Sequence, residues 1–269
     1  MFITIINDCS DHNAMNRQAT RMASFFNSPV YPLGVSDFGH KGSGEIEAAG
    51  NLIDTLDAAD GGEGIILINV AIRHGKGKRF PNGTPFGYFY YGKTLVIASI
   101  DGYCLSLAKK FQLTDQIQLM DIPTVMDYVI DQHLFEKEYR QLVVDSQFRS
   151  YQFIPRVAKW LKDGIDLPTE KYPIEQVADI PATMWWVDNF GNCVTTLLPQ
   201  DVNFTAGEKL TTRFGELPMY ERLKDVPNGE AACIIGSSGL DHRRFLSFVI
   251  QGKSFANEYG VKTGEPILP

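Results

Sequence analysis

The chain has 269 residues, 44 % apolar and 21 % charged, with a net charge of -7, an ordinary globular composition long enough for one large domain or two modest ones. The acidic balance gives no support to a nucleic-acid role, and no apolar run approaches the roughly 18 residues of a membrane span. Cys9, Cys104, Cys193 and Cys233 lack CxxC spacing, and the opening MFITIIN lacks the basic flank and long apolar core of a signal peptide, so a reduced, cytoplasmic protein without disulfides or structural zinc is expected.

Phe2 to Ile6 is a β-branched run expected to form a buried first strand, ending in the polar turn Asn7-Asp8-Cys9-Ser10-Asp11. A helix is predicted from Ala14 to Phe26, with Met15, Ala19, Met22 and Phe26 as its apolar positions and Pro29 beyond its end. Val30 to Val35 follows as a strand. Ser43 is placed to cap a helix from about Glu45 to Ala59, carrying Ile46, Ala49, Leu52, Ile53 and Leu56 on one face. Gly64 to Ile72, GIILINVAI, is apolar nearly throughout, as expected of a central parallel strand covered on both sides. A long basic, Gly-rich loop is expected next, then a buried strand at Thr94 to Ser99 and a helix at Tyr103 to Phe111. Strands alternating with helices predict an α/β layered domain with a mostly parallel sheet. Thr124 to Leu161 is predicted mostly helical.

Asp163 to Pro181 holds three prolines and little periodicity, so the linker is expected there. Beyond it, Thr183 to Val187, Cys193 to Leu198, Lys209 to Phe214, Ala231 to Ile235 and Phe245 to Ile250 are short strand-like runs separated by Gly, Asn and Asp. They predict a small all-β, barrel-like or sandwich domain. The expected division is an N-terminal α/β domain over 1–165, a linker over 166–182 and a C-terminal β domain over 183–269.

Four places carry candidate chemistry. Asp8 follows a buried strand, and ligands of α/β sheets sit at the carboxyl ends of strands, where a carboxylate can accept from both ribose hydroxyls; Asp8 can equally cap a turn or the next helix. Arg73 to Arg79, RHGKGKR, places four full positive charges in seven residues, enough to hold a phosphate or carboxylate, or simply to make a solvated basic loop; its spacing is not that of a P-loop. Asp188-Asn189-Phe190-Gly191-Asn192 has the composition of a hairpin turn, and can alternatively hold an amino-acid head group while Phe190 packs on a base. Gly252-Lys253-Ser254 is either an ordinary turn or a backbone edge for a purine. The five histidines show no HExxH or related spacing and Ser237-Ser238-Gly239 is not a nucleophile elbow, so no catalytic metal and no cofactor are expected.

In their order these segments resemble the S-adenosylmethionine (SAM) hydroxide adenosyltransferases and their fluorinase and chlorinase relatives. Ile3 to Asp8 is similar to the family's opening strand and Asp turn, and Leu67 to Gly77 to its strand and Gly-containing turn. Trp186 to Thr196, WVDNFGNCVTT, resembles its D-x-F-G-N-x-x-T-N signature, and Leu246 to Gly260 its C-terminal strand and adenine-contacting turn. The resemblance implies a homotrimer with each site shared between the first domain of one subunit and the second domain of its neighbour, and SAM or adenosine as the small-molecule ligand. It implies Asp8 on the ribose, Asp188 and Asn192 on the methionine head group, and Phe190 with Gly252, Lys253 and Ser254 on the adenine.

The implied reaction is attack at the ribose C5′ with release of methionine, foremost hydrolysis to adenosine and L-methionine. The hydrolytic members use an Asp, an Arg and a His around the attacking water. Those places fall here on Arg73, near Arg79 or Phe80, and on Gln147, and Arg73, Arg79 and Gln147 become the candidate catalytic residues; the Asp that often follows the opening turn is Asn13. Two alternatives stand beside hydrolysis: a non-catalytic adenosyl-binding protein that has lost the hydrolytic residues, and recruitment of an anionic ligand such as a nucleotide by Arg73, Lys76 and Arg79.

Overall fold

The computed structural model describes residues 1–35, 43–71 and 85–269. The first part alternates strands and helices: β1 (Phe2–Asn7), α1 (His12–Phe26), β2 (Val30–Gly34), α2 (Ser43–Ala59), β3 (Gly64–Asn69), β4 (Phe86–Tyr91), β5 (Thr94–Ser99), α3 (Ser106–Lys110) and β6 (Gln116–Met120). Helices α4 (Ile122–Asp131), α5 (Arg140–Val144), α6 (Arg149–Gln152) and α7 (Ile154–Lys162) follow, and β7 (Glu170–Pro173) completes a seven-stranded sheet of order β2-β1-β3-β5-β4-β6-β7. Strands β2, β1, β3 and β5 pair in parallel, while β4 is antiparallel to β5 and β6, and β7 to β6. The largely parallel α/β domain is as the sequence predicts.

The central strands are apolar on both sides because both sides are covered. Ile3, Ile5, Ile65 and Leu67 pack with Met22 of α1, Val125 of α4 and Val157 of α7. Their alternating neighbours Ile6, Ile66 and Ile68 pack with Leu52 of α2 and Leu107 of α3. Helix α1 begins at Asp11, whose carboxylate accepts from the Asn13 and Ala14 N–H groups, and ends at Asn27 in the left-handed region.

Strand β4 lies inside the stretch expected to be loop. Its sequence FGYFYY joins β5 through a tight turn at Gly92, φ 55°. Gly87 permits the close pairing with β6, since a Cβ there would sit 2.4 Å from Ile117 Cγ2. The segment expected to link the domains supplies β7, a four-residue edge strand whose Pro173 falls at its end, where a missing N–H costs no central ladder bond.

The second part is all β apart from α8 (Phe255–Tyr259): β8 (Met184–Val187), β9 (Cys193–Thr195), β10 (Lys209–Thr212), β11 (Gly215–Tyr220), β12 (Ala231–Leu240) and β13 (Arg243–Ile250), in the order β10-β11-β12-β13-β9-β8. Met184, Cys193, Leu246, Phe248, Phe255 and Ile267 fill its core. Among the described residues no helix is long and apolar enough to cross a membrane.

Helix α2 joins the two parts. Its apolar stripe faces the first sheet, and its other side meets β8 and β12. Trp185 lies against Gly50 so closely that a Cβ on Gly50 would be 2.2 Å from the indole. One turn on, Asp54 accepts from the Ser238 hydroxyl at 2.7 Å and the Gly239 N–H at 2.9 Å, and Asp57 accepts from Asp241 N–H at 2.9 Å and Arg244 Nη1 at 2.8 Å.

Burial raises the Asp54 carboxyl above its ordinary value despite these bonds, whereas the Arg244 guanidinium lowers Asp57. Asp54→Ala leaves the Ser238 hydroxyl and Gly239 N–H without their acceptor and should cost about 1–3 kcal/mol. Asp54→Asn keeps an acceptor for Gly239 and removes the desolvated charge, so it should match or exceed wild-type stability at neutral pH. Because the folded-state value of Asp54 is raised, the wild-type penalty is full above that value and disappears below the unfolded one. The Asn advantage should therefore vanish by about pH 4. Urea midpoints of the three proteins at both pH values check this.

Candidate functional site

The carboxyl ends of β1, β3 and β5 form one edge of the first sheet. In the strand register Asn7 stands beside Asn69, and Ser99 closes β5 one step further on. The Asn69 amide donates to Asn7 Oδ1 at 2.8 Å, which also accepts from the Cys9 N–H at 3.0 Å. Ser99 Oγ accepts from the Val70 N–H at 3.1 Å. Asp8 sits at this edge, its Oδ2 accepting from the Ala71 N–H at 3.0 Å. It does not cap α1, a task Asp11 performs. Asp8 instead bridges the end of β1 to the chain leaving β3.

Two buried carboxylates at the same edge escaped sequence reasoning. Glu45, in the first turn of α2, is 2 % exposed and accepts from the Tyr103 N–H at 2.9 Å; Asp101, just past β5, is 6 % exposed. Between them lies the wholly buried Cys104, whose thiol is pushed well up by burial and further by the charges of Glu45, Asp8 and Asp101. Its inertness follows, since the thiol rather than the thiolate is present at neutral pH. Asp101 had a signal in the sequence: it follows a buried strand much as Asp8 does. Glu45 had none, because one acid at a helix start is ordinary.

The second-domain candidates come together. Asp188 to Asn192 forms the tip of the β8–β9 hairpin. Asp188 Oδ1 accepts from the Phe190 N–H at 2.8 Å and the Asn192 N–H at 2.9 Å, while Oδ2 accepts from Asn192 Nδ2 at 2.8 Å. Asp188 therefore organises its own turn and retains limited capacity for a ligand. Gly191 takes φ 81°, and its carbonyl accepts from the Ala256 N–H at 3.0 Å. This seats the turn on Ser254, which caps α8 by accepting from the Asn257 N–H at 3.0 Å. Gly252, φ 82°, turns the chain from β13, and Lys253 is exposed.

The tightly bonded turn holds Phe190 79 % exposed, with Trp186 of the same hairpin 40 % exposed. Among the described residues no hydrogen bond joins this turn to the Asp8 edge. Of the candidate catalytic residues, Gln147 is exposed between α5 and α6, and Arg73 and Arg79, with Lys76, lie outside the described residues. No group of three or more His, Cys, Asp or Glu suited to a metal occurs among the described residues.

Gly191 is where this geometry is most sensitive. A Cβ there would lie 1.9 Å from Ser254 Oγ on a backbone that disfavours any side chain. Gly191→Ala should cost about 1–3 kcal/mol through overpacking, with a further 1–2 kcal/mol or so from the left-handed backbone. Adding Ser254→Gly should recover the first part and not the second, as read from denaturant midpoints.

Residues 182–268 match the family model described as the SAM hydroxide adenosyltransferase C-terminal domain, which takes in both the Asp188 turn and the Gly252 turn. A comparison with curated proteins finds no match. Among solved structures, an uncharacterized conserved protein from Thermotoga maritima is similar over 100 % of this chain and 99 % of its own, with a TM-score of 0.65 and 15 % identity. A conserved hypothetical protein from Thermus thermophilus is similar over 99 % and 98 %, with a TM-score of 0.57 and 17 % identity. At such identities these two share the fold, across both domains. Residues 182–268 thus match the C-terminal domain of the SAM hydroxide adenosyltransferases, and the whole chain shares the two-domain fold of these two structures.

Proposed function

We propose that the protein binds the adenosyl group of SAM, with the ribose hydroxyls on Asp8, the adenine on Phe190 and the backbone of Gly252 to Ser254, and the methionine head group against Asp188 and Asn192. The observation that carries this reading is the exposed Phe190 on its rigid turn, inside the domain whose family model matches. The family resemblance supports a site completed by a second copy, in a homotrimer. Each half then supplies what the other lacks: a ribose carboxylate from one subunit and a stacking ring from its neighbour.

Calorimetric titration of SAM and adenosine into wild type and Asp8→Ala tests the ligand assignment. Losing one partner of a buried charged hydrogen bond should weaken binding by roughly 2–5 kcal/mol. Equal affinity in the two proteins would remove Asp8 from the ribose. Light scattering tests the assembly: a trimer mass is expected, and a monomer that still binds tightly would contradict the shared site.

The reaction that suits such a site is displacement at C5′, in which the C–S bond breaks and the sulfur leaves as neutral methionine. Water as nucleophile gives adenosine, methionine and a proton. Alignment and desolvation of the nucleophile supply much of what the step needs. A base is the weak point. Arg73 cannot accept a proton at neutral pH, and Gln147 can orient water without deprotonating it. Loss of a positioned base costs about 10²–10⁴-fold. Turnover, followed as adenosine and methionine by chromatography, should be slow, as in an adenosyl-binding protein with residual hydrolysis. Fast turnover that survives Arg73→Ala and Gln147→Ala would assign the chemistry to other groups.

A further inference from the structure

A cluster of positive charge among the described residues lies away from both halves of that site. Residues 12–26 and 146–162 contain no Asp or Glu, in a chain where acids outnumber bases 32 to 25. These segments, α1 and α6–α7, pack together and enclose an open groove of about 620 Å³ whose lining includes His12, Asn16, Arg17, Thr20, Arg21 and Tyr151 and no carboxylate.

Three guanidinium groups meet there on neutral partners. Arg21 lies 3.6 Å over the Tyr151 ring, and donates from Nη1 to Tyr151 O at 2.9 Å and Gln152 Oε1 at 3.0 Å, and from Nη2 to the Tyr151 hydroxyl at 2.6 Å. Arg156 donates to the same Gln152 Oε1 at 3.1 Å. Arg17 stands over Tyr151 at 4.4 Å and Phe148 at 5.2 Å, and makes no hydrogen bond or ion pair among the described residues. Burial lowers the Arg21 and Arg156 guanidiniums, Arg156 to about 10, and the charge of Arg17 on Arg21, and of Arg21 on Arg156, acts the same way. Arginine on the surface of an acidic protein normally finds a carboxylate. Here the aromatic rings and the Gln152 amide hold the cluster in place while leaving its charge uncompensated, and the Arg17 fork remains open to the groove.

We propose that the groove between α1 and α6 binds a phosphate-bearing small molecule, its oxygens taken by Arg17 and Arg21. Adjacent fixed guanidiniums suit a ligand with more than one negative charge, and the planar fork matches phosphate oxygens two at a time. The Asn16 and Thr20 side chains on the exposed face of α1 offer further polar contacts. The volume fits a small molecule, and the net charge of -7 disfavours a nucleic acid.

The test is calorimetric titration of pyrophosphate and of adenosine into the full chain, wild type and Arg17→Ala, at low and high salt. Arg17 is exposed, so its removal should leave the fold intact. One pyrophosphate per chain is expected, weakening with salt and at least about tenfold in Arg17→Ala, with adenosine affinity unchanged by the substitution. Failure of adenosine binding would fall on the adenosyl reading alone. No pyrophosphate binding by wild type, or equal binding by both proteins, would overturn the groove assignment. Flotation with phosphatidic acid vesicles separates the sources of phosphate: vesicle binding without soluble pyrophosphate binding, or preference for an RNA oligonucleotide, would overturn the small-molecule ligand.

Discussion

The architecture depends on α2 being buried on two sides. A helix at the surface of an α/β sheet normally presents one apolar stripe to the sheet and a polar face to water. In α2 the stripe of Ile46, Ala49, Leu52, Ile53 and Leu56 faces the first sheet, while Gly50, Asp54 and Asp57 meet the second domain. Gly50 lets Trp185 come down onto the helix, and the same core cluster then runs on through Trp185 to Phe245. The two domains thus share apolar surface through α2, and the end of α3 adds to the contact through Lys110 on Thr196 and Phe111 against Phe245.

That constraint sets what each domain can offer. With α2 docked on β8 and β12, the β8–β9 hairpin is anchored at its base and free at its tip. The tip is then stiffened locally, by Asp188 accepting three bonds and by Gly191 seated on Ser254. The turn so held carries Phe190 out into solvent. At the other end of α2, Glu45 is buried against Tyr103, so the helix start also shapes the strand edge where Asp8 lies. Both halves of the proposed adenosyl site are therefore tied to the same helix.

The two halves differ in electrostatics. The strand edge gathers Asp8, Glu45 and Asp101 about a protonated Cys104, an environment that suits hydroxyl donors and a cationic sulfonium. The Arg17–Arg21–Arg156 cluster is its opposite, held together by rings and amides. The acidic edge borders α2 and α3 on one side of the first sheet, and the basic groove borders α1 and α6–α7 on the other. Like charges at either site would cost both desolvation and repulsion.

Sequence alone determined what depends on local pattern. β1, β3 and β5 were legible because strands buried on both faces must be apolar throughout, and the helices because their apolar positions recur at helical spacing. Asp8, the Asp188 turn and the Gly252 turn were legible because each is a short motif whose residue types carry their own geometry. Tertiary structure decided the rest. β4 and β7 pair on edges that β5 and β6 offer; the aromatic run Phe86–Tyr91 carries strand propensity of its own, whereas little within Glu170–Pro173 announces a strand. Asp8 could have been a helix cap until Asp11 took that position. Glu45 and Asp101 became part of the strand edge only when α2 and β5 brought them beside Cys104. The union of Arg17, Arg21 and Arg156 joins segments about 130 residues apart, and charge segregation across such a distance is a property of packing, which local composition cannot express.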